Sequence, residues 1–158
     1  MCYTVPMHKS FYASGFLYSL KTHQILLLQS EQKDGIVSLW STLGGESKEG
    51  EEAQVTFQRI INELLNLDLK YKDIYPIYDY FHKTIDKVNY VFYAEVKNPP
   101  IFNSIRKNTL SWVTFKEISK LLFSGQTKQD VIVGERVINL KNRLDQNLQL
   151  GQQSSATF

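Results

Sequence analysis

The sequence predicts an α/β (α+β) fold in which a mixed β-sheet carries helices on both faces. Segments with strand-like and helix-like patterns follow one another in the order strands, helix, strands, helix, helix, which is typical of a sheet covered by helices. The length of 158 residues suits one domain of ordinary size. We therefore expect a single domain over residues 1–148. The polar, Ser- and Gln-rich residues 149–158 predict a flexible C-terminal tail.

The first half of the chain contains two predicted strands and one helix. Residues 11–20 and 24–30 are rich in apolar and aromatic side chains, and the polar residues between them indicate a hairpin. From about residue 52 to residue 65, apolar side chains recur at three- and four-residue spacings, which predicts an amphipathic helix. Asn66 is a suitable residue to end this helix.

The second half contains three predicted strands and two predicted helices. The strands have apolar and aromatic patterns and cover residues 73–82, 88–97 and 110–115. One helix is expected from the neighbourhood of Thr114, a suitable N-cap, to Leu122. The other should run from Asp130 to about Leu148, where valine and leucine recur.

The composition excludes some classes of protein and favours none. The net charge of +2 gives no electrostatic reason to expect a nucleic-acid surface or an anionic membrane as partner. The single cysteine, Cys2, allows neither an intrachain disulfide nor a thiolate zinc site. No apolar run approaches the roughly 20 residues needed to span a bilayer, and no signal peptide is visible at the start. We expect a cytoplasmic protein, in which His8, His23 and His82 lack metal-ligand spacing.

A glycine, an acidic loop and the predicted helix together form a spaced motif. Five residues separate Gly45 from Glu51, and seven separate Glu51 from Arg59. Gly44–Leu67 resembles the Nudix box, whose pattern is Gly, five residues, Glu, seven residues, then Arg-Glu-U-x-Glu-Glu-x-Gly-U with U aliphatic. The matching residues are Gly45, Glu51, Arg59, Ile61, Glu63 and Leu67. The departures are Ile60, Leu64 and Asn66, where the family has Glu, Glu and Gly.

The resemblance extends beyond the box. Residues 40–45 (WSTLGG) are similar to the family's Trp-x-x-Pro-Gly-Gly lead-in, with Leu43 in place of proline. Residues 111–118 (SWVTFKEI) are similar to a common exit from a strand into a helix in this family. The resemblance therefore implies a MutT-like, Nudix-type α/β/α sandwich with a mixed sheet and a degenerate Nudix box.

The resemblance also implies a chemistry, which is hydrolysis of a diphosphate linkage in a nucleoside diphosphate derivative with Mg²⁺ or Mn²⁺ as cofactor. Residues three or four apart lie on one face of a helix, and positions 60, 63 and 64 form the family's metal face. Only Glu63 is a carboxylate there. The expected metal ligands are Glu63, Glu95 from a later strand and the Gly44 carbonyl, and the expected catalytic residues are Glu63 and Glu95. For Glu95 the alternative is that strand alternation points it to solvent.

The resemblance implies a structural role for the glycines of the motif and for Glu51 and Arg59. Glu51 and Arg59 should pair and pin the loop to the helix. Gly44 and Gly45 should permit close backbone approach and positive φ angles. Tyr78 and Tyr80 are expected to pack in the sheet, with a base sandwiched in a substrate pocket as the alternative.

Two functions follow from these residues. One is a metal-dependent pyrophosphohydrolase with a divergent site. The other is a catalytically inactive Nudix-fold module that binds a nucleotide or a protein partner, which the apolar Ile60 and Leu64 favour because losing two carboxylates weakens magnesium binding. The sheet strands and the final helix would support a homodimer.

Overall fold

The computed structural model describes residues 9–31, 35, 37–102 and 108–155. Cys2, His8 and the last three residues of the expected tail lie outside the described residues. The strands are β1 Tyr12–Ser19, β2 Gln24–Gln29, β3 Trp40–Ser41, β4 Leu43–Glu46, β5 Ile74–His82, β6 Lys87–Val96 and β7 Thr109–Thr114. The α-helices are α1 Ala53–Leu65 and α2 Thr127–Ser155. Two short 3-10 helices cover Tyr71–Asp73 and Phe115–Lys120.

All the described strands belong to one mixed sheet, whose central path is β3-β2-β1-β6-β5. β1 pairs in parallel with β6, and Gly15 lies opposite Phe92. β4 pairs antiparallel with the start of β1, which sets Gly44 opposite Ser14. β7 pairs antiparallel with β2. The sheet thus holds the glycines that precede α1 against its central strand.

Each face of the sheet has its own apolar core, because alternate side chains of the central strands point to opposite sides. On one face, Phe57 and Ile61 of α1 pack with Leu17 and Phe92, and the rings of Phe57 and Phe92 stack at 5.5 Å. On the other face α2 packs with the sheet. That core contains Phe16, Tyr18, Tyr93, Val131 and Ile138. The predicted sheet with helices on both faces is confirmed.

The first helix closely matches its prediction. α1 covers Ala53–Leu65, and Asn66 follows it in the left-handed conformation with φ of 52°. Asparagine tolerates this conformation better than most residues, which makes it a common helix terminator. The segment expected from Thr114 to Leu122 is instead a 3-10 helix from Phe115 to Lys120.

The last helix differs more from its prediction. α2 begins at Thr127, before Asp130, and continues to Ser155 through much of the expected tail. Gly151 does not end it, since one glycine in a helix costs only about 1 kcal/mol and the neighbouring glutamines are good helix formers. Among the described helices, none is both long and apolar enough to cross a bilayer.

Candidate functional site

The loop before α1 is fixed to the helix by an ion pair between Glu51 and Arg59. Arg59 Nε donates to Glu51 Oε2 at 2.7 Å, and Arg59 Nη2 donates to Glu51 Oε1 at 3.0 Å. Arg59 Nη2 also donates to the backbone carbonyl of Glu46 at 3.0 Å. The guanidinium therefore joins the end of β4, the loop and the helix, in the geometry that arginine and carboxylate favour.

The Glu51 carboxylate is the most strongly stabilised acid of this loop. It also accepts hydrogen bonds from the Lys48 backbone N–H at 2.6 Å and from the Thr56 hydroxyl at 3.1 Å. The hydrogen bonds from Arg59 are the main reason that the pKa of Glu51 falls from 4.5 to about 2. A carboxylate so fully occupied by the protein's own donors is a structural element of the loop.

Positions 44 and 45 are occupied by glycine because neighbouring atoms lie too close to leave room for a Cβ atom. A Cβ atom on Gly44 would lie 2.7 Å from the Tyr12 ring and 2.8 Å from the Ala13 carbonyl oxygen. On Gly45 it would lie 2.9 Å from Cδ1 of Ile60. Neither glycine has a positive φ, so the expected freedom to adopt positive φ is not used here. Instead, the absence of a side chain lets β4 lie against both β1 and α1.

The helix face that would hold metal in the family is apolar at two of its three positions. Ile60 is buried, with 6% of its surface exposed, and its side chain lies under Gly45. Leu64 packs against the core on the α1 face of the sheet. Glu63 is exposed over 61% of its side chain, and its carboxylate lies 3.5 Å from Nη1 of Arg59. This helix face therefore keeps one acid, Glu63, which is exposed and lies beside the Arg59 guanidinium.

Glu95 lies on the opposite face of the sheet from α1. Its carboxylate accepts a hydrogen bond from Lys141 Nζ of α2 at 2.8 Å, and its side chain is 14% exposed. Lys141 Nζ also lies 4.6 Å from the centre of the Tyr75 ring. Burial alone would lower the pKa of Lys141, but the pair with Glu95 outweighs it and the pKa is raised. Glu95 therefore points neither to Glu63 nor to solvent, and it docks α2 on the sheet.

The side chains at this helix do not fit a magnesium ion, which needs several oxygen ligands in near-octahedral geometry. Glu63 and Glu95 are paired with different cations, and Ile60 and Leu64 have no donor atoms. Within residues 9–31, 35, 37–102 and 108–155, no three His, Cys, Asp or Glu side chains are grouped so that they could hold a metal ion.

A polar cleft of about 230 Å³ lies on the α2 face, between the sheet and the start of α2. Its floor is a chain of buried and partly buried hydrogen bonds. The Ser14 hydroxyl donates to Asn89 Oδ1 at 2.9 Å, and Asn89 Nδ2 donates to the Tyr80 hydroxyl at 3.1 Å. Tyr80 in turn donates to Asp130 Oδ2 at 3.0 Å, and Tyr78 donates to Asp130 Oδ1 at 2.6 Å.

Asp130 is the one carboxylate among the described residues that line this cleft, and only 2% of it is exposed. Burial raises the pKa of Asp130, while hydrogen bonds from Tyr78 and Tyr80 oppose the rise. His82 also lines the cleft, and its Nδ1 atom is buried without a hydrogen-bond partner among the described residues. Because most buried polar atoms are hydrogen-bonded, this nitrogen is an exception among the described side chains.

Sequence reasoning named Tyr78 and Tyr80 as the alternative lining of a substrate pocket but missed the rest of this cleft. Asp130 had only been expected to begin a helix, and Asn89 drew no attention in a predicted strand. The available signal was a polar residue within an apolar strand, since such a residue needs a partner when buried. The partners come from β1, β5 and α2, which are distant in sequence.

The fold and the site define a class, an α+β domain in which a glycine-led loop is joined to a helix by a Glu–Arg ion pair. The model of the NUDIX domain family matches residues 11–133. The chain therefore belongs to the NUDIX domain family. Among curated proteins, no match was found.

Solved structures support the fold. A MutT/nudix family protein from Enterococcus faecalis has 13% identity and a TM-score of 0.65, and the match covers 88% of this chain and 66% of that chain. This chain thus spans slightly less than two thirds of that protein. The NUDIX domain of Shewanella oneidensis NrtR, solved with ADP ribose, has 14% identity and a TM-score of 0.65, with 85% and 94% coverage. The C-terminal domain of mouse MUTYH, solved with human PCNA, has 13% identity and a TM-score of 0.61, with 84% and 91% coverage.

Proposed function

We propose that this chain is a Nudix domain that binds a nucleotide derivative in the polar cleft without hydrolysing it by the metal-dependent route of its family. The observation that carries the proposal is the metal face of α1. Ile60 is buried against Gly45, Leu64 is partly buried against the core, and Glu63 lies beside Arg59. A site with one cation-paired acid lacks the ligands for magnesium.

The cleft supports the binding half of the proposal. It is bordered by groups that form hydrogen bonds in fixed positions, because Asn89 and Asp130 are each held by two neighbours. The unpartnered Nδ1 of His82 adds one unsatisfied position. A planar ligand with several donors and acceptors, such as a nucleobase, suits such a lining. The NrtR domain, a structural neighbour, was solved with ADP ribose.

The first test is a panel of dinucleotides, sugar nucleotides and nucleoside triphosphates, each with magnesium and with manganese. We expect at least one compound to raise the melting temperature, with no product even at high protein concentration. Asp130→Asn should reduce the stabilisation, whereas the matched acid variant Glu63→Gln should leave it unchanged. Metal-dependent product that disappears in Glu63→Gln would overturn the proposal in favour of the hydrolase. A flat melting curve across the panel would remove nucleotide binding.

A second test restores the carboxylates with Ile60→Glu and Leu64→Glu. If the scaffold is otherwise intact, this double variant should gain metal-dependent hydrolysis. Because Ile60 is 6% exposed, its replacement will destabilise α1, and Leu64→Glu alone is the milder companion. Both variants should first be checked for native circular dichroism. A folded double variant that gains no activity would show that the site lacks more than these two ligands.

A further inference from the structure

We propose that the polar cleft holds the uncharged base end of the nucleotide derivative and that the phosphates lie beside Lys83, away from α1. This proposal rests on the proposed function and adds the direction in which the ligand lies. It is drawn from two clefts that adjoin each other. The second, which we call the turn cleft, has a volume of about 370 Å³ and is lined by residues 80–84, 125 and 126, at the turn between β5 and β6 and just before α2.

The side chains of the polar cleft do not suit a phosphate. Among the described residues that line it, Asp130 is a carboxylate and none is a lysine or an arginine. Asp130 is 2% exposed, and a buried charge is screened less than one at the surface. A phosphate in this cleft would therefore lie near a like charge, with no lysine or arginine in the lining to offset it. The hydroxyl groups of Ser41, Thr42, Ser124 and Thr127 also line the cleft, and they can exchange hydrogen bonds with a neutral base.

The two clefts meet at Tyr80 and His82, which line both of them. The two rings stack, with their centroids 5.9 Å apart. Beside α2, Gln126 lines the turn cleft and the next residue, Thr127, lines the polar cleft. The polar cleft, at about 230 Å³, is smaller than the roughly 300–1,000 Å³ of most small-molecule sites. It therefore has room for one part of a nucleotide, and the rest can extend past the two rings into the turn cleft.

Lys83 supplies the turn cleft with a cation that can meet a phosphate. Its side chain is exposed and makes no ion pair with any described residue. The described lining of the turn cleft contains no carboxylate, so a phosphate there meets an ammonium group and no like charge. At α1, by contrast, the Arg59 guanidinium is held by Glu51 at 2.7 Å, and the metal ligands at positions 60 and 64 are missing. The charges therefore direct the phosphates to Lys83.

Calorimetric titration of the full chain tests this direction. The probes are adenosine, guanosine, cytidine and uridine, each compared with its own 5′-monophosphate, in EDTA and at low ionic strength. We expect at least one nucleoside to bind and its monophosphate to bind about threefold to fivefold tighter, which is the gain that an exposed ion pair can give. Lys83→Gln should remove this gain, and added salt should reduce it in the wild type.

Lys48→Gln is the matched control, because Lys48 is an exposed lysine in the loop before α1. It should keep the full gain from the phosphate, and the nucleoside should bind equally to both variants. Loss of the gain in Lys48→Gln, or a gain that survives Lys83→Gln, would overturn the proposal. So would equal affinities for nucleoside and monophosphate. A monophosphate that binds when its nucleoside does not would overturn the direction but leave nucleotide binding intact, whereas no binding by any probe would remove the proposed function as well.

Discussion

At the scale of single residues, the Glu51–Arg59 pair makes folding stability depend on pH. Folding lowers the pKa of Glu51 from 4.5 to about 2, so its contribution is fully present above about pH 4.5 and is lost as the pH falls towards 2. The pair is partly exposed, and solvent screening reduces this contribution to about 1–2 kcal/mol. We predict that the unfolding free energy of Glu51→Gln falls less steeply over this range than that of the wild type. Urea titrations at several pH values measure it.

The control for this prediction is Glu49→Gln, which removes a charge from an exposed residue of the same loop. Its pH profile should follow the wild type. If Glu51→Gln and Glu49→Gln give the same slope, the pair does not stabilise the folded chain.

A second residue-scale prediction concerns Glu95 and Lys141. Lys141→Met leaves a carboxylate that is only 14% exposed without its partner. We expect a loss of about 2–3 kcal/mol in the free energy of unfolding, because an unpaired buried charge is costly. Removing both charges with Glu95→Gln and Lys141→Met should recover most of the loss. A thermal double-mutant cycle measures the coupling, and additive effects would mean that the ion pair does not dock α2.

The direction of Glu95 also marks a limit of sequence reasoning. Alternation along the strand correctly separates the two faces of β6. It indicates that one face is exposed to solvent only where nothing else packs on that face. Here α2 covers it, and the residue that meets Glu95 is 46 positions away in the sequence. By contrast, the pairing of Glu51 with Arg59 was implied by the resemblance to the Nudix box, and the two residues lie within one loop and helix.

At the scale of elements, the contact between β1 and β6 depends on Gly15. A Cβ atom there would lie 1.8 Å from the Phe92 carbonyl oxygen, a backbone atom in the parallel pair. Gly45 is also crowded, but the nearest atom to its Cβ is the end of the Ile60 side chain at 2.9 Å. We predict that Gly15→Ala destabilises by about 3 kcal/mol or more and Gly45→Ala by about 1 kcal/mol. Denaturant unfolding of the two variants measures both losses in the free energy of unfolding. A larger loss for Gly45→Ala than for Gly15→Ala would contradict the prediction.

The elements differ in how far the sequence predicts them. α1 is amphipathic and has a terminator in Asn66, so pattern and cap agree on its bounds. β3 and β4 have two and four residues, too few for alternation to be read. β3 and β4 form by pairing with neighbouring strands of the sheet. A local sequence pattern carries no information about that pairing. The same holds for the polar cleft, whose hydrogen-bond chain joins four separate elements, β1, β5, β6 and α2.

At the scale of the whole molecule, the proposed function predicts that divalent metal ions do not change the melting temperature of the chain. An ion present at a hundred times its dissociation constant would stabilise the fold by about 2.7 kcal/mol, which is about 5–10 °C in melting temperature for a chain of this size. We expect melting curves with excess EDTA, magnesium or manganese to coincide within about 1 °C. A reproducible rise in melting temperature with magnesium would contradict the proposed function, because it would require a metal site that α1 does not offer.

The parallel pairing of β1 with β6 has a consequence for synthesis. Tyr12 is opposite Asn89, and Ser19 is opposite Val96, so the partners at the centre of the sheet are 77 positions apart in the sequence. Contacts this distant in sequence close slowly, because the loop entropy is lost before the strand contacts form. During translation β1 emerges first and its apolar side chains must wait for β6. Nascent chains that end before residue 87 should therefore leave the edge of β1 that faces β6 unpaired, and such chains should be prone to aggregate.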